Sequence, residues 1–192
     1  MMSAAMPGIY ARYGFKLMTS PRPLRSVLLA AALLALCAPA LAATAIAVGN
    51  VTKQPIPRFV SLRASVTNLR EGPSVNNRIS WVFHRAGQPL EIIAEFDIWR
   101  RVRDSDGSEG WLMSRTVSSR RTAVVAPWSK DGALPLYDSD STDARVVAKL
   151  EPKVLATIEE CTGTWCLLSG DGFSGWMEQE KLWGAYPGEK VK

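Results

Sequence analysis

Short apolar runs separated by turn-forming residues extend along most of the chain. Ile79–Phe83 and Val146–Leu150 alternate or carry β-branched side chains, and residues 89–94 and 153–158 do the same one step further on. Clusters of Gly, Pro, Asn and Asp lie between these runs, without a helical period longer than one turn. Alternating runs bounded by turn residues predict β-strands. The pattern therefore predicts an all-β chain whose short strands close into small barrels.

Two pairs of tryptophans reveal an internal repeat. Trp99 and Trp111 lie 12 residues apart, Trp165 and Trp176 lie 11 apart, and the second tryptophan of each pair follows a glycine. Self-similarity at a fixed offset, here 65 to 66 residues, is typical of repeated structural units. A single unit of this size is only marginally stable alone, so we expect two units to pack together.

The repeat predicts two modules, over residues 58–122 and 123–187. The four repeated tryptophans are expected in the barrel cores, where aromatic side chains bury a large area. Other aromatic residues lie outside the repeat or at module edges and are candidates for lining a groove that takes an extended peptide; they are Trp81, Trp128, Tyr137 and Trp183.

The beginning of the chain has the layout of a secretory signal peptide. Arginines precede an apolar run over residues 27–38, and the small residues Ala40 and Ala42 follow it. The run is shorter than the roughly 20 residues that a membrane-spanning helix needs. We predict a signal peptide over residues 1–42, with an over-extended reading frame at its start and cleavage after Ala42, and a linker over residues 43–57. The protein would then be periplasmic or secreted; the alternative is an uncleaved membrane anchor.

Charge is distributed unevenly along the chain. There are 23 Lys and Arg against 18 Asp and Glu, a net charge of +5, but four of the basic residues lie in the predicted signal. Residues 43–122 contain 12 basic and 7 acidic residues, whereas residues 123–192 contain 7 and 11. This contrast has two interpretations: attraction that orients two otherwise solvated modules, or a site for an anionic partner, such as wall-peptide carboxylates, on the first. A nearly neutral mature chain without a continuous basic stripe argues against a nucleic-acid partner.

Cys161 and Cys166 are the two cysteines that remain after the signal, an even number in an exported chain. The segment around them reads as strand, glycine-containing turn and strand, which would bring both side chains together across a hairpin. We predict a disulfide that stabilises the fold by about 2 kcal/mol. A redox site is disfavoured because four residues intervene instead of two, and a metal site because His84 is too distant to complete a tetrahedral set.

The sequence contains no recognisable catalytic machinery. His84 is the only histidine, and there is no phosphate-binding loop, nucleophile elbow or zinc-binding helix motif. The grouped aspartates lie among Ser, Gly and Thr, where turn chemistry explains them; they are Asp104, Asp106, Asp138, Asp140 and Asp143. We therefore expect no enzyme activity, no cofactor and no metal ion.

Several motifs resemble the bacterial SH3-like (SH3b) family of exported proteins. They are Asn-Leu-Arg-Glu-Gly-Pro-Ser at 68–74, Glu-Ile-Ile-Ala at 91–94, Trp-Arg-Arg-Val at 99–102, Gly-Trp at 110–111, Trp-Cys at 165–166, Gly-Trp at 175–176 and Lys-Leu-Trp-Gly at 181–184. The second module departs at its first turn, where Tyr137-Asp-Ser-Asp replaces Asn-Leu-Arg. The resemblance implies two tandem SH3-like barrels of five to six strands each.

The resemblance also implies a non-catalytic binding or targeting role at the cell envelope, since many members of the wider family bind peptidoglycan or its cross-bridge peptides. The ligand would contact turn loops of the barrels, and the contact residues we expect are Asn68, Arg70, Glu71 and Tyr137. The alternative is a periplasmic scaffold that binds another protein and has no affinity for the wall. Membrane contact is expected only through an uncleaved signal.

Overall fold

The alternating runs of the sequence form β-strands in residues 47–192, the part of the chain that the computed structural model describes. The first seven strands are β1 (Arg58–Leu62), β2 (Thr67–Arg70), β3 (Ile79–Phe83), β4 (Pro89–Phe96), β5 (Trp99–Arg103), β6 (Glu109–Met113) and β7 (Val117–Ser118). They form one antiparallel sheet in the order β3-β2-β6-β5-β4-β1-β7. A 3-10 helix, Ser114–Thr116, connects β6 to β7.

The second half of the described chain repeats this arrangement. Its strands are β8 (Thr122–Val125), β9 (Leu134–Tyr137), β10 (Val146–Leu150), β11 (Leu155–Thr162), β12 (Trp165–Gly170), β13 (Phe173–Glu178), β14 (Leu182–Trp183) and β15 (Lys190–Val191). The order β10-β9-β13-β12-β11-β8-β14 matches that of the first sheet strand for strand, and β15 pairs with β11. A second 3-10 helix, Gln179–Lys181, precedes β14. The prediction of an all-β fold with two small barrels is confirmed.

The strand count is higher than the resemblance implies because two-residue strands, β7 and β14, close each sheet. Within residues 47–192 no helix is long and apolar enough to cross a membrane. The predicted signal peptide, residues 1–42, and its cleavage after Ala42 lie outside the described residues.

Each barrel encloses its own apolar core. The first core contains Val60, Leu62, Leu69, Phe83, Leu90, Ile92, Val102, Leu112 and Val117. The second contains, among others, Val125, Leu136, Leu150, Ile158, Leu168, Met177 and Leu182, together with both cysteines. Cys161 and Cys166 face each other across β11 and β12 with Cα atoms 4.1 Å apart, so the predicted disulfide is confirmed.

The expectation that all four repeated tryptophans lie in the cores is wrong. Trp111 and Trp176 are partly exposed, because the glycine before each of them takes the inward position on its strand. A Cβ atom on Gly110 would lie 2.5 Å from Cγ of Leu69, so another strand passes too close for any side chain there. Strand alternation then directs the next residue, the tryptophan, outward.

The two barrels pack on each other through aromatic rings. The ring of Phe59 on β1 lies 5.2 Å from that of Trp183 and 4.6 Å from that of Tyr186, measured between centroids. The Tyr186 hydroxyl donates a hydrogen bond of 2.8 Å to Oε1 of Glu91 on β4. Burial and this contact raise the pKa of Tyr186 far above its usual range, so the hydroxyl stays a donor at neutral pH.

Hydroxyl groups complete the contact between the barrels. Oγ of Ser61 and Oγ1 of Thr122 are 2.6 Å apart, and Thr122 donates to the Gly87 carbonyl oxygen at 2.7 Å. In the described part of the chain every ion pair stays within one barrel, except the pair of Arg121, between β7 and β8, with Glu189 after β14. The opposite charges of the modules are therefore not consumed by ion pairs across this contact and stay at the surface.

Candidate functional site

A cleft of about 240 Å³ opens on the first barrel between β2, the start of β5 and the first 3-10 helix. It is lined by Val66, Thr67, Asn68, Arg70, Trp99, Met113, Arg115 and Thr116. We call it the Trp99 cleft, because the buried indole of Trp99 supplies its largest apolar side chain. Trp99 thus lies beside a cleft and outside the barrel core in which the repeat suggested it.

The polar groups of the Trp99 cleft favour an anionic ligand. Arg70 donates from Nη1 to the carbonyl oxygen of Asn77 at 2.7 Å, which orients its guanidinium. Neither Arg70 nor the exposed Arg115 has an ion-pair partner among residues 47–192, and the lining contains no carboxylate. The buried Oγ1 of Thr67 has no hydrogen-bond partner in the same region. A planar guanidinium pairs well with carboxylate oxygens, and a hydroxyl supplies directional binding.

Glu95 holds the turn that presents Trp99. Its buried carboxylate accepts hydrogen bonds from the backbone N–H of Thr52 at 2.8 Å and from Arg58 at 2.7 Å, and lies 3.6 Å from Nε of Arg100. Arg100 in turn donates to the carbonyl oxygens of Asp97 and Trp99 at 2.9 and 2.8 Å. Burial alone would raise the pKa of Glu95, but the hydrogen bonds outweigh it and lower the pKa to about 2. The carboxylate is therefore ionised at neutral pH and fixes this end of the hairpin.

The second barrel has a cleft at the equivalent place, with the opposite charge. This Trp165 cleft of about 310 Å³ is lined by Gly163, Thr164, Trp165, Glu178, Gln179, Glu180, Pro187 and Gly188. Glu178 and Glu180 follow Met113 and Arg115 of the first barrel by 65 residues. The exposed carboxylate of Glu180 is paired with Lys181 at 2.8 Å. The equivalent clefts are thus basic in one barrel and acidic in the other.

The four residues predicted from the sequence are distributed over three places. Asn68 and Arg70 both line the Trp99 cleft. Glu71 is exposed next to it and pairs with Arg78, whose hydrogen bond lowers the pKa of Glu71. Tyr137 lies in the second barrel at the position equivalent to Arg70, since these two residues pair with Trp176 and Trp111 respectively.

Tyr137 has a structural contact that explains its place. Its ring stands edge-on to Trp165 with centroids 5.6 Å apart, so an aromatic contact fills the second barrel where the first has a guanidinium. Sequence reasoning did not single out Thr67, Met113 or Arg115. Their only signal is position next to a strand end, and they meet only when β2 and β6 become neighbours in the barrel.

A third cleft, of about 370 Å³, lies between His84 and the turn after β5. Asp104 in that turn accepts hydrogen bonds at Oδ1 from the backbone N–H groups of Asp106 and Ser108, at 3.0 and 2.8 Å. This is the turn chemistry expected for the grouped aspartates. Across residues 47–192 no three His, Cys, Asp or Glu side chains converge in a way that could hold a metal ion.

Comparison with known proteins gives one family. The model of the family described as "Bacterial SH3 domain" matches twice, over residues 64–119 and 130–184, which together make up more than half of the chain. No curated protein sequence matches the chain.

Similarity to solved structures is low. The structures titled NlpC2 and NlpC1 from Trichomonas vaginalis are each 11% identical, cover 66% of this chain, and have TM-scores of 0.31 and 0.30. A NlpC/P60 family protein from Bacillus cereus ATCC 10987 is 9% identical, covers 65% of this chain and has a TM-score of 0.30. The matches cover 48%, 45% and 55% of those chains, so this chain spans about half of their length.

Proposed function

The chain belongs to the bacterial SH3 domain family, and on that premise we propose that it is a non-catalytic cell-envelope protein that binds peptidoglycan or a wall peptide. One observation carries the proposal: the Trp99 cleft combines a large aromatic side chain with two arginines and contains no carboxylate. A ligand that fits this chemistry is a peptide with an apolar stem and a free carboxylate.

The groups of the cleft have separate roles in this proposal. The ligand carboxylate pairs with Arg70 and Arg115, because charge-assisted hydrogen bonds to guanidinium are stronger than neutral ones. Oγ1 of Thr67 and the side chain of exposed Asn68 bind polar groups of the peptide backbone. Trp99 and Met113 pack against its apolar part. Binding and orientation need no acid, base or nucleophile, which is why we propose a binding role without catalysis.

An envelope location is part of the proposal. The Cys161–Cys166 disulfide supports it, since disulfides persist in oxidising compartments such as the periplasm and the cell exterior. The signal-like layout of residues 1–42 in the sequence supports it as well. We propose that the protein is periplasmic or secreted, with no nucleic-acid partner.

Sedimentation with purified sacculi tests the proposal. We expect the protein to pellet with sacculi at low salt and to be released as salt screens the arginine–carboxylate pairs. Arg115→Ala should weaken binding about tenfold, the loss of one charge-assisted hydrogen bond. Arg145→Ala is the matched control, because Arg145 is an exposed arginine of the second barrel that pairs with Asp138.

A failure to pellet at low salt would exclude wall binding. Equal weakening by Arg115→Ala and Arg145→Ala would show general charge attraction instead of a site in the Trp99 cleft.

Exposed apolar residues favour a second candidate, the periplasmic scaffold without wall affinity. Trp81 and Ile79 on β3 are 60% and 41% exposed, and Val75 before them is 56% exposed. β3 ends the first sheet, so its outer backbone groups are open to pairing with another strand. If Trp81→Ser abolishes capture of an envelope protein while sacculus binding is absent, this function replaces the first.

A further inference from the structure

A second arginine-lined cleft lies on the first barrel, on the other side of the 3-10 helix from the Trp99 cleft. Its volume is about 280 Å³, and its charged lining residues are Arg58, Arg63 and Arg100. Arg100 is 7% exposed, so one of these guanidinium groups is built into the barrel wall. The lining also contains hydroxyl side chains, those of Thr52, Ser114, Ser118 and Ser119. We call it the Arg63 cleft.

Positive charge in the Arg63 cleft exceeds the negative charge around it. Arg58 and Arg100 share one carboxylate, that of Glu95, at 2.7 and 3.6 Å. Arg63 is exposed, and its guanidinium contacts only the carbonyl oxygen of Val117, at 3.5 Å, within residues 47–192. Three guanidinium groups therefore face one carboxylate.

The second barrel shows what this position binds. Arg58 lies opposite Ile92 of β4, and the carbonyl oxygen of Arg121 accepts from Ile158 of β11, 66 residues later, so the two arginines are equivalent. Arg121 holds the carboxylate of Glu189 with two hydrogen bonds, of 2.6 and 3.0 Å. A carboxylate on an incoming chain segment is thus bound by the arginine at this place.

The other two arginines of the cleft have no counterpart in the second barrel. The N–H of Arg63 donates to the carbonyl oxygen of Thr116, as that of Ala126 does to Lys181, so Ala126 takes the place of Arg63. Arg100 corresponds to Cys166. One arginine and one internal carboxylate balance in the second barrel, whereas the first has two arginines more and no segment that supplies an acid.

We propose that the Arg63 cleft is a second anion-binding site, which takes a carboxylate or phosphate group from a ligand outside the chain. Arg63 and Arg58 bind the anion oxygens in the way that Arg121 binds Glu189, and Ser118 and Ser119 donate from their hydroxyl groups. Guanidinium groups suit both anions, since each offers oxygens at the spacing of the planar donor fork. This site lies outside the Trp99 cleft and extends the first barrel's ligand surface across the 3-10 helix.

Titration of the purified protein with sodium phosphate and with sodium succinate, at constant ionic strength, tests the site. We expect saturable NMR shifts of the Arg63 and Arg58 Nε–Hε signals and of the Ser118 and Ser119 amides. Arg63→Ala should weaken binding about tenfold, and Arg63→Lys, which keeps the charge and loses the planar fork, should lie between. The tighter of the two probes identifies the anion group.

Arg145→Ala serves as the control and should leave these titrations unchanged. Non-saturating shifts spread over all arginines, or an unchanged affinity in Arg63→Ala, would overturn the proposal. The test is independent of the proposed function, because sacculus binding is tested through Arg115, on the other side of the helix. Saturable shifts at Arg63 without sacculus binding would support the anion site and reject the wall ligand.

Discussion

The two barrels hold the same hairpin end with different chemistry. Glu95 pairs with Arg100 across β4 and β5, and 66 residues later Cys161 pairs with Cys166 across β11 and β12. Where the second barrel has a covalent bond, the first has a buried ion pair that needs further partners, among them Arg58 and the backbone of Thr52. The difference shows that this position requires a cross-strand link, and that the kind of link is free to change.

The chain ends pack at these equivalent places as well. In the first barrel the N-terminal segment around Thr52 binds the Glu95 carboxylate. In the second, β15 of the C-terminal segment pairs with Cys161 and Thr162 at the end of β11. Each link thus fastens a hairpin and a terminal segment together, and removing it should loosen both.

Removing the carboxylate should have the largest effect. Glu95→Ala leaves Arg58 and Arg100 without their shared anion, and breaking a buried ion pair costs about 3–5 kcal/mol. Urea denaturation at pH 7 measures the free energy of unfolding. Glu160→Ala, an exposed carboxylate of the second barrel, is the control and should change it by less than about 0.5 kcal/mol. Equal effects of the two variants would contradict the central role of Glu95.

Acid should weaken the first link and leave the second intact. The folded-state pKa of Glu95 is lowered from 4.5 to about 2, so its stabilisation is complete above pH 4.5 and is lost as the pH falls towards 2. The loss amounts to about 3 kcal/mol for a shift of this size. Unfolding free energies measured between pH 5 and 2 should show it, and Glu95→Gln should flatten the dependence. A slope unchanged by Glu95→Gln would assign the acid sensitivity to other carboxyl groups.

Reduction should act on the second link alone. Cys161→Ser with Cys166→Ser, or a reductant, should lower the free energy of unfolding by about 2 kcal/mol, since the bridge closes a very short loop. Thiol titration of the denatured, unreduced protein should find neither cysteine of the pair free. Two free thiols would show that the bridge does not form.

Exchanging charge between the equivalent clefts should have the smallest effect on stability. Arg115→Glu places in the Trp99 cleft the charge that Glu180 has in the Trp165 cleft. Because Arg115 is exposed, the free energy of unfolding should change by less than about 0.5 kcal/mol. Sacculus binding should nevertheless be lost. A large loss of stability would mean that Arg115 supports the fold, and the binding result could then not be assigned to the cleft.

The sequence was sufficient where the signal is local. The strands Ile79–Phe83 and Val146–Leu150 were identified from alternation, and the disulfide from a strand–turn–strand segment. Glu95 was missed because its partners lie elsewhere in the chain, at Thr52 and Arg58. Trp111 was placed in the core because the close approach of Leu69 to Gly110 exists only in the closed barrel.

The candidate site divides in the same way. Asn68 and Arg70 belong to one short motif and were found together, whereas Trp99 and Arg115 reach the cleft from the far ends of other strands. The charge contrast between the modules was visible in residue counts. Its concentration in two equivalent clefts follows from the barrel topology, which no count contains.

The packing of Phe59 on Trp183 and Tyr186 has a consequence for recognition. It sets the distance between the Trp99 and Trp165 clefts, which a flexible linker would leave variable. Two rigidly spaced sites raise each other's local ligand concentration only when one molecule can reach both. A polymer whose successive groups match that spacing would therefore be retained by avidity, while its monomer would dissociate quickly.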